Sequence, residues 1–133
     1  MKIFTRAIAV VLLSFATLAQ AEVAVIVSAT VDRQLSQAEV ANVFLGKDKS
    51  MTALDLQDWG PVKDAFYSQV MKKTEAQMTS YWSGLIFTGK GQPPQSVADD
   101  AAVVASIAGD ASMIGYVASD AVTDKVKVLF TLP

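Results

Sequence analysis

The segment Leu35–Lys47 constrains the fold of this chain most, because both ends of one helix are marked in its sequence. Ser36 predicts an N-cap, and Glu39, three residues later, completes the spacing of a capping box. Apolar residues then recur at helical spacing along one side of the segment. Gly46 follows them and supplies the left-handed residue that ends many helices. The segment therefore predicts a short helix with one buried side.

Predicted strands and helices alternate along the rest of the chain. Apolar and β-branched runs predict strands at 23–28, at 51–57, at 113–117 and at 126–130. Helices are predicted to begin at Pro61, at Thr74 and at Ser96, with the last continuing to Ala108. A loop rich in glycine and proline at 88–94 separates the second of these helices from the third. This order predicts an α/β fold, a small three-layer-like sandwich whose mixed sheet of about four to five strands has flanking helices.

The first 21 residues resemble a secretory signal peptide and not a part of the fold. Lys2 and Arg6 form a basic start, an apolar run follows at 7–18, and a small-x-small cleavage pattern ends at Ala21. The apolar run is short for a permanent bilayer-spanning helix, so an uncleaved anchor is the less favoured alternative. We expect cleavage near Ala21 and a single periplasmic or secreted domain at 22–133.

The composition argues against several classes of function. Without the two basic residues of the leader, the eleven basic side chains fall to nine, against thirteen acidic ones. This balance argues against nucleic acid or an anionic membrane as a general partner. The chain has no cysteine and no histidine, so the usual metal ligands and nucleophile–histidine pairs are missing. No pair of carboxylates is set apart for acid–base work either. We expect a non-enzyme with no metal site and no cofactor.

Five short segments follow one another in an order that is informative as a set. They are Leu35–Lys47, Pro61–Phe66, Tyr81-Trp82, Phe87-Thr88-Gly89 and Ile114-Gly115-Tyr116. In this order they resemble the substrate-binding proteins of phosphate ABC transporters, which are type II periplasmic binding proteins. The resemblance implies one lobe of a usually two-lobed protein. It also implies a solute-binding module for phosphate or a similar oxyanion, with an ABC transporter permease or another exported protein as partner.

Two places in the sequence match the ligand-binding positions that this resemblance implies. In the family, helix N-termini and hydroxyl groups face a tetrahedral anion between the lobes. Ser28 and Thr30 follow the first strand and would offer hydroxyl groups, although such residues commonly satisfy local backbone groups instead. Gly60 and Lys63 lie at the start of the helix at 61, although most lysines there are simply solvated. The second place lacks the family's hydroxyl beside the glycine, and Pro61 removes one N–H donor.

Two functions therefore stay open from the sequence. The first is an oxyanion-binding module in which a homodimer supplies the opposing face. The second is a protein-interaction or accessory module that kept the lobe fold and lost its ligand. Trp59 is open to both an exposed and a buried interpretation, because it stands in a loop before a helix. Tyr81 and Trp82 are expected in the core, since they lie in an apolar helical stripe.

Overall fold

A five-stranded mixed sheet organises the part of the chain that the computed structural model describes, residues 22–133. The strands are β1 (Val23–Ser28), β2 (Thr52–Leu56), β3 (Gln95–Val97), β4 (Met113–Ala118) and β5 (Val126–Leu132). Their order across the sheet is β3-β2-β4-β1-β5. The predicted signal segment lies outside the described residues.

The directions of the strands give the sheet two distinct ends. β2 is parallel to β3 and to β4, whereas β1 runs antiparallel to β4 and β5. The residues Leu56, Val97 and Ala118, which end the three parallel strands, therefore lie at one end, here called the carboxyl end of the sheet. The starts of β2 and β4 lie at the other end, here called the amino end. Because β1 is antiparallel, it finishes at the amino end.

Four α-helices lie within the described residues. They are α1 (Gln37–Phe44), α2 (Pro61–Phe66), α3 (Glu75–Phe87) and α4 (Asp100–Ala108). α2 continues directly into a π-helical turn at Tyr67–Met71, which ends at Lys72 in a left-handed conformation. A short 3-10 turn, Ser119–Ala121, precedes β5. None of the helices described within 22–133 is both long and apolar enough to cross a membrane.

The helix with marked ends forms as predicted. The Ser36 hydroxyl accepts a hydrogen bond from the Glu39 amide at 3.2 Å, and the Glu39 carboxylate accepts one from the Ser36 amide. Gly46 has a φ of 77° and follows the last turn, as a left-handed helix stop requires. The buried side consists of Val40, Val43 and Phe44. Local sequence thus determines both ends and the orientation of α1.

The two faces of the sheet are covered differently. On one face, the Phe66 ring from α2 stacks on Tyr116 of β4 with ring centroids 4.1 Å apart, and Phe44 of α1 packs against Phe66. On the other face, α4 lies so close to β4 that a Cβ on Gly115 would come within 2.7 Å of Ile107. This α/β/α arrangement confirms the predicted fold class.

The prediction that Ser96 begins the last helix is wrong. Ser96 lies in β3, which pairs with β2 in register Asp55 to Ser96. Asp99 caps α4 instead, because its carboxylate accepts a hydrogen bond from the Ala102 amide at 2.8 Å. β3 is a short strand without an apolar alternation, and its formation depends on the unpaired side of β2. That long-range pairing leaves no trace in the local sequence.

Candidate functional site

A cavity of about 480 Å³ lies at the carboxyl end of the sheet. Two segments line it, the loop from β2 into α2 and the loop from β3 into α4. In sheets with parallel strands, ligands characteristically bind just beyond the carboxyl ends of the strands. This cavity is therefore the first candidate site, and it includes the predicted residues Gly60 and Lys63.

The start of α2 leaves hydrogen-bond donors at this cavity. Gly60 is the N-cap residue and provides no side-chain cap, while Pro61 has no N–H to donate. The first amide bonded in the helix belongs to Asp64, which donates to the Gly60 carbonyl at 2.9 Å. In residues 22–133 the amides of Val62 and Lys63 have no hydrogen-bond partner. Unpaired donors at a helix start favour a negatively charged group nearby.

The start of α4, on the other side of the cavity, is closed by the carboxylate of Asp99. Asp99 accepts from the Ala102 amide, as described above, and Asp100 accepts from the Ala118 amide at 3.2 Å. Asp58 lines the same cavity. The negative charges of these three side chains weaken the attraction that the α2 amides exert on an anion.

Lys63 is held by the protein rather than extended into solvent. Its ammonium donates to the Leu56 carbonyl at 2.7 Å and lies 3.5 Å from an oxygen of Asp55. The side chain is only 12% exposed. The Lys63 ammonium therefore compensates the charge of the buried Asp55 carboxylate and pairs with the carbonyl at the end of β2. A bound anion would compete with these two partners for the positive charge of Lys63.

Trp59 covers Lys63 from the loop before α2. The ammonium lies 5.0 Å from the centroid of the Trp59 ring, which is a cation–π distance. The indole N–H donates to Asp64 at 3.1 Å, and the ring packs 4.8 Å from that of Tyr67. Trp59 is thus half-buried, and it shields the Lys63 charge from water on one side.

Asp55 is the centre of a buried polar cluster that the sequence did not reveal. It is 6% exposed and accepts hydrogen bonds from the Tyr67 hydroxyl at 2.5 Å, from the Tyr116 hydroxyl and from the Leu56 amide. Burial raises the pKa of both tyrosine hydroxyls, and the negative charge of Asp55 raises it further. The cluster joins β2, β4 and the turn after α2 beneath the candidate site.

Asp55 lies between Leu54 and Leu56 in β2. This strand is covered on both faces, so the residue between the two leucines is buried as well. The lone acidic residue in an otherwise apolar strand is the signal that could have identified this cluster. Its partners Tyr67 and Tyr116 are distant in sequence and could not be paired with it in advance.

Ser28 and Thr30 lie at the opposite end of the sheet from Gly60 and Lys63. This separation follows from strand direction, since β1 is antiparallel to β4 and β4 is parallel to β2. Ser28 is 4% exposed, and its hydroxyl lies 3.1 Å from that of Thr30. It also accepts a hydrogen bond from the Thr30 amide. The two predicted places are therefore separate surfaces, and one chain does not combine them into one site.

The acidic side chains in the described ranges do not form a metal centre. No group of three or more potential ligand residues within 22–133 is arranged to hold a metal ion. Among the described residues, the chemistry available at the candidate site is thus that of amide and ammonium donors with nearby carboxylates.

Comparisons with known proteins relate this fold to one class of binding protein. A phosphate ABC transporter substrate-binding protein from Clostridium perfringens, solved with bound phosphate, superimposes with a TM-score of 0.64 at 17% identity over 82% of this chain. An ABC-type phosphate transport receptor from Vibrio cholerae gives 0.63 at 10% identity over 83%. At this level of identity the likeness concerns the fold.

This chain matches only part of each of these structures. The matched part is 45% of the Clostridium protein and 46% of the Vibrio protein, so the chain spans less than half of either. No protein-family model matches the chain, and no curated protein does. The fold is that of a single lobe of a periplasmic binding protein.

Proposed function

We propose that this protein is an exported solute-binding module that binds phosphate or a similar small oxyanion, without catalysis, at the carboxyl end of its sheet. The observation that carries the proposal is the cavity into which the uncapped start of α2 opens. The similarity in fold to a protein solved with bound phosphate supports it. The proposed hydrogen-bond donors to the anion are the amides of Val62 and Lys63. The Lys63 ammonium would add a positive charge near them.

Binding by this lobe alone is expected to be weak. Asp58, Asp99 and Asp100 repel an anion in the same cavity, and the open face leaves the ligand in contact with water. In two-lobed binding proteins, closure around the ligand removes water and adds contacts from the second lobe. A second copy of this chain or another exported protein would supply that opposing face here.

The proposal includes a location and a transport partner. A signal sequence cleaved near Ala21 would deliver residues 22–133 to the periplasm or the exterior. There the module would serve an ABC transporter permease, as the similarity to transporter components suggests. Detection of the chain with Glu22 at its N-terminus in the exported fraction tests this part of the proposal.

Thermal unfolding in phosphate tests the binding step. Phosphate should raise the melting temperature of residues 22–133 more than chloride does at equal ionic strength, because a ligand stabilises the state that binds it. Sulfate is a similar tetrahedral oxyanion, so its effect shows how far the site distinguishes the two anions. The Gly60→Asp variant described next measures the general stabilisation that such salts give to any protein. A phosphate effect equal to that of chloride would contradict the proposal.

Gly60→Asp is the sharpest variant for the same experiment. A side chain fits at this position, since no atom lies within 4 Å of a Cβ placed there. The new carboxylate would accept the amides of Val62 and Lys63, so the phosphate-specific shift should disappear while α2 gains a cap. Gly84→Asp adds the same charge at another open position, in α3, and should leave the shift unchanged.

The carboxylates at the cavity favour a second candidate function, an accessory or protein-interaction module that no longer binds an anion. Asp99 already occupies the start of α4, and the charges of Asp58 and Asp100 add to it. Under this alternative, neither wild type nor Gly84→Asp shows a phosphate-specific shift.

A further inference from the structure

A second and larger cavity lies at the amino end of the sheet, away from the candidate oxyanion site. It has a volume of about 580 Å³ and lies between the end of α1, α3 and the loop at 88–94. Its apolar lining includes Met51, Trp82 and Leu85. Tyr81 also lines it and donates to the Leu45 carbonyl at 2.8 Å. The prediction that Tyr81 and Trp82 lie in the core is therefore only partly right, because both are half-buried at this cavity.

Three lysines, Lys47, Lys49 and Lys90, line the same cavity. In the described part of the chain, no carboxylate lies within ion-pair distance of any of them. Asp48 also lines the cavity, but it lies 3.8 Å from Arg33 and accepts a hydrogen bond from the Ser50 amide. The result is a local excess of positive charge in a chain that is acidic as a whole.

Two large apolar side chains continue this surface beyond the cavity. Ile86 is 55% exposed and Phe87 is 92% exposed, at the end of α3. Ile86 lines a smaller adjoining cavity that shares Lys49 and Lys90 with the larger one. The end of α3 thus presents two large apolar side chains to solvent. Exposed apolar groups next to a polar rim are typical of surfaces that bind other proteins.

We propose that this surface, here called the basic groove (Lys47, Lys49, Trp82, Ile86, Phe87 and Lys90), binds an acidic peptide segment of a partner protein that carries apolar side chains. The lysines would pair with its carboxylates, and the apolar side chains would occupy the groove beside Trp82. This inference is independent of the oxyanion proposal, since it concerns the other end of the sheet.

The shape of the surface favours a protein segment over the other possible occupants. A small molecule in the cavity would leave Phe87 uncovered, because Phe87 lines neither of the two cavities. A membrane surface is flat, whereas the three lysines line a depression. An extended segment fills the depression and reaches the exposed end of α3 at the same time.

Binding of a labelled synthetic peptide, Asp-Glu-Leu-Asp-Glu-Phe-Asp-Glu, measured by fluorescence anisotropy, tests the proposal. Residues 22–133 should bind this peptide. Binding should be weaker for a control peptide in which Asn and Gln replace Asp and Glu, and for a second control in which Ala replaces Leu and Phe. Lys90→Glu should weaken binding about tenfold or more, because a like charge replaces an attractive one. Lys125→Glu makes the same charge change at an exposed site outside the groove and should have no effect.

Phe87→Ser provides an independent variant. It removes an exposed ring and should weaken peptide binding without lowering the melting temperature, so loss of fold would not explain the result. Absence of peptide binding, or equal binding by wild type and Lys90→Glu, would overturn the proposal. So would Lys90-dependent binding to phosphatidylglycerol vesicles in place of the peptide. Lys90→Glu should keep any phosphate-specific shift and Gly60→Asp should keep peptide binding, so the two proposals fail separately.

Discussion

Lysines at the two ends of the sheet have opposite surroundings. At the carboxyl end, Lys63 is 12% exposed and has two oxygen partners within the protein. At the amino end, Lys47, Lys49 and Lys90 line a groove, and no carboxylate of residues 22–133 pairs with them. Residue type alone therefore does not indicate a role. We expect a buried lysine that completes a polar cluster to contribute mainly to the free energy of unfolding. We expect unpaired lysines at a groove to contribute mainly to the binding of a partner.

The largest effect is expected at Asp55, the partner of Lys63. Asp55→Ala would leave the Lys63 charge and two tyrosine hydroxyls without their shared acceptor. Removing one partner of a buried ion pair commonly costs about 3–5 kcal/mol. Urea unfolding of residues 22–133 should show a loss of this order.

Asp124→Ala is the matched control, since Asp124 is exposed in the loop before β5. It should change the free energy of unfolding by less than about 0.5 kcal/mol. If Asp55→Ala lowered the free energy of unfolding as little as this control, the buried polar cluster around Asp55 would not stabilise the fold as we expect.

A smaller loss is expected from Tyr116→Phe. The ring that stacks on Phe66 is retained, and only the hydroxyl that donates to Asp55 is removed. A buried acceptor that loses one donor typically costs about 1–3 kcal/mol. Urea unfolding measures the loss. A stability equal to wild type would mean that the other donors satisfy Asp55 fully.

Alkaline pH should weaken the same cluster. The folded-state pKa of Tyr67 and Tyr116 lies above the ordinary value of 10.0, so folding favours the neutral hydroxyls. Their contribution is complete below the unfolded pKa and is lost as the pH rises above about 10. The unfolding free energy measured from neutral pH to about pH 11 should therefore fall. The double variant Tyr67→Phe/Tyr116→Phe should fall less steeply over this range, and an equal slope would contradict the assignment.

The smallest effect is expected in the basic groove. Lys47→Ala, Lys49→Ala and Lys90→Ala remove charges that have no carboxylate partner in the described residues. Each should change the free energy of unfolding by less than about 0.5 kcal/mol in the same urea assay. A loss of more than about 1 kcal/mol in any of them would indicate a structural role and remove the contrast with Lys63.

Local features of this fold were predictable from the sequence, and long-range ones were not. The caps of α1 and α3 follow from residues three positions apart, and both capping boxes are present. The sequence did not predict β3, because this strand depends on pairing with β2. For the same reason, the predicted start of α4 at Ser96 lies three residues before the true cap, Asp99.

The candidate site shows the same limit. Gly60 and Lys63 were predicted from their position at a helix start, and both lie at the start of α2 in the structure. The residues that pair with the Lys63 ammonium come from β2, however, and could not be predicted from local sequence. Ser28 was chosen because it ends a strand, yet strand direction places it at the other end of the sheet. The residues of a site can thus be proposed from local pattern, whereas their grouping requires the topology.

Amide chemical shifts of isotope-labelled protein, recorded during a phosphate titration, test the oxyanion site most directly. The amides of Gly60, Val62 and Lys63 should shift progressively, while those of Lys47, Lys49 and Lys90 stay in place. Gly60→Asp should remove the response. Shifts confined to the groove lysines, or no phosphate-dependent shift beyond that seen in chloride, would contradict a binding site at the carboxyl end of the sheet.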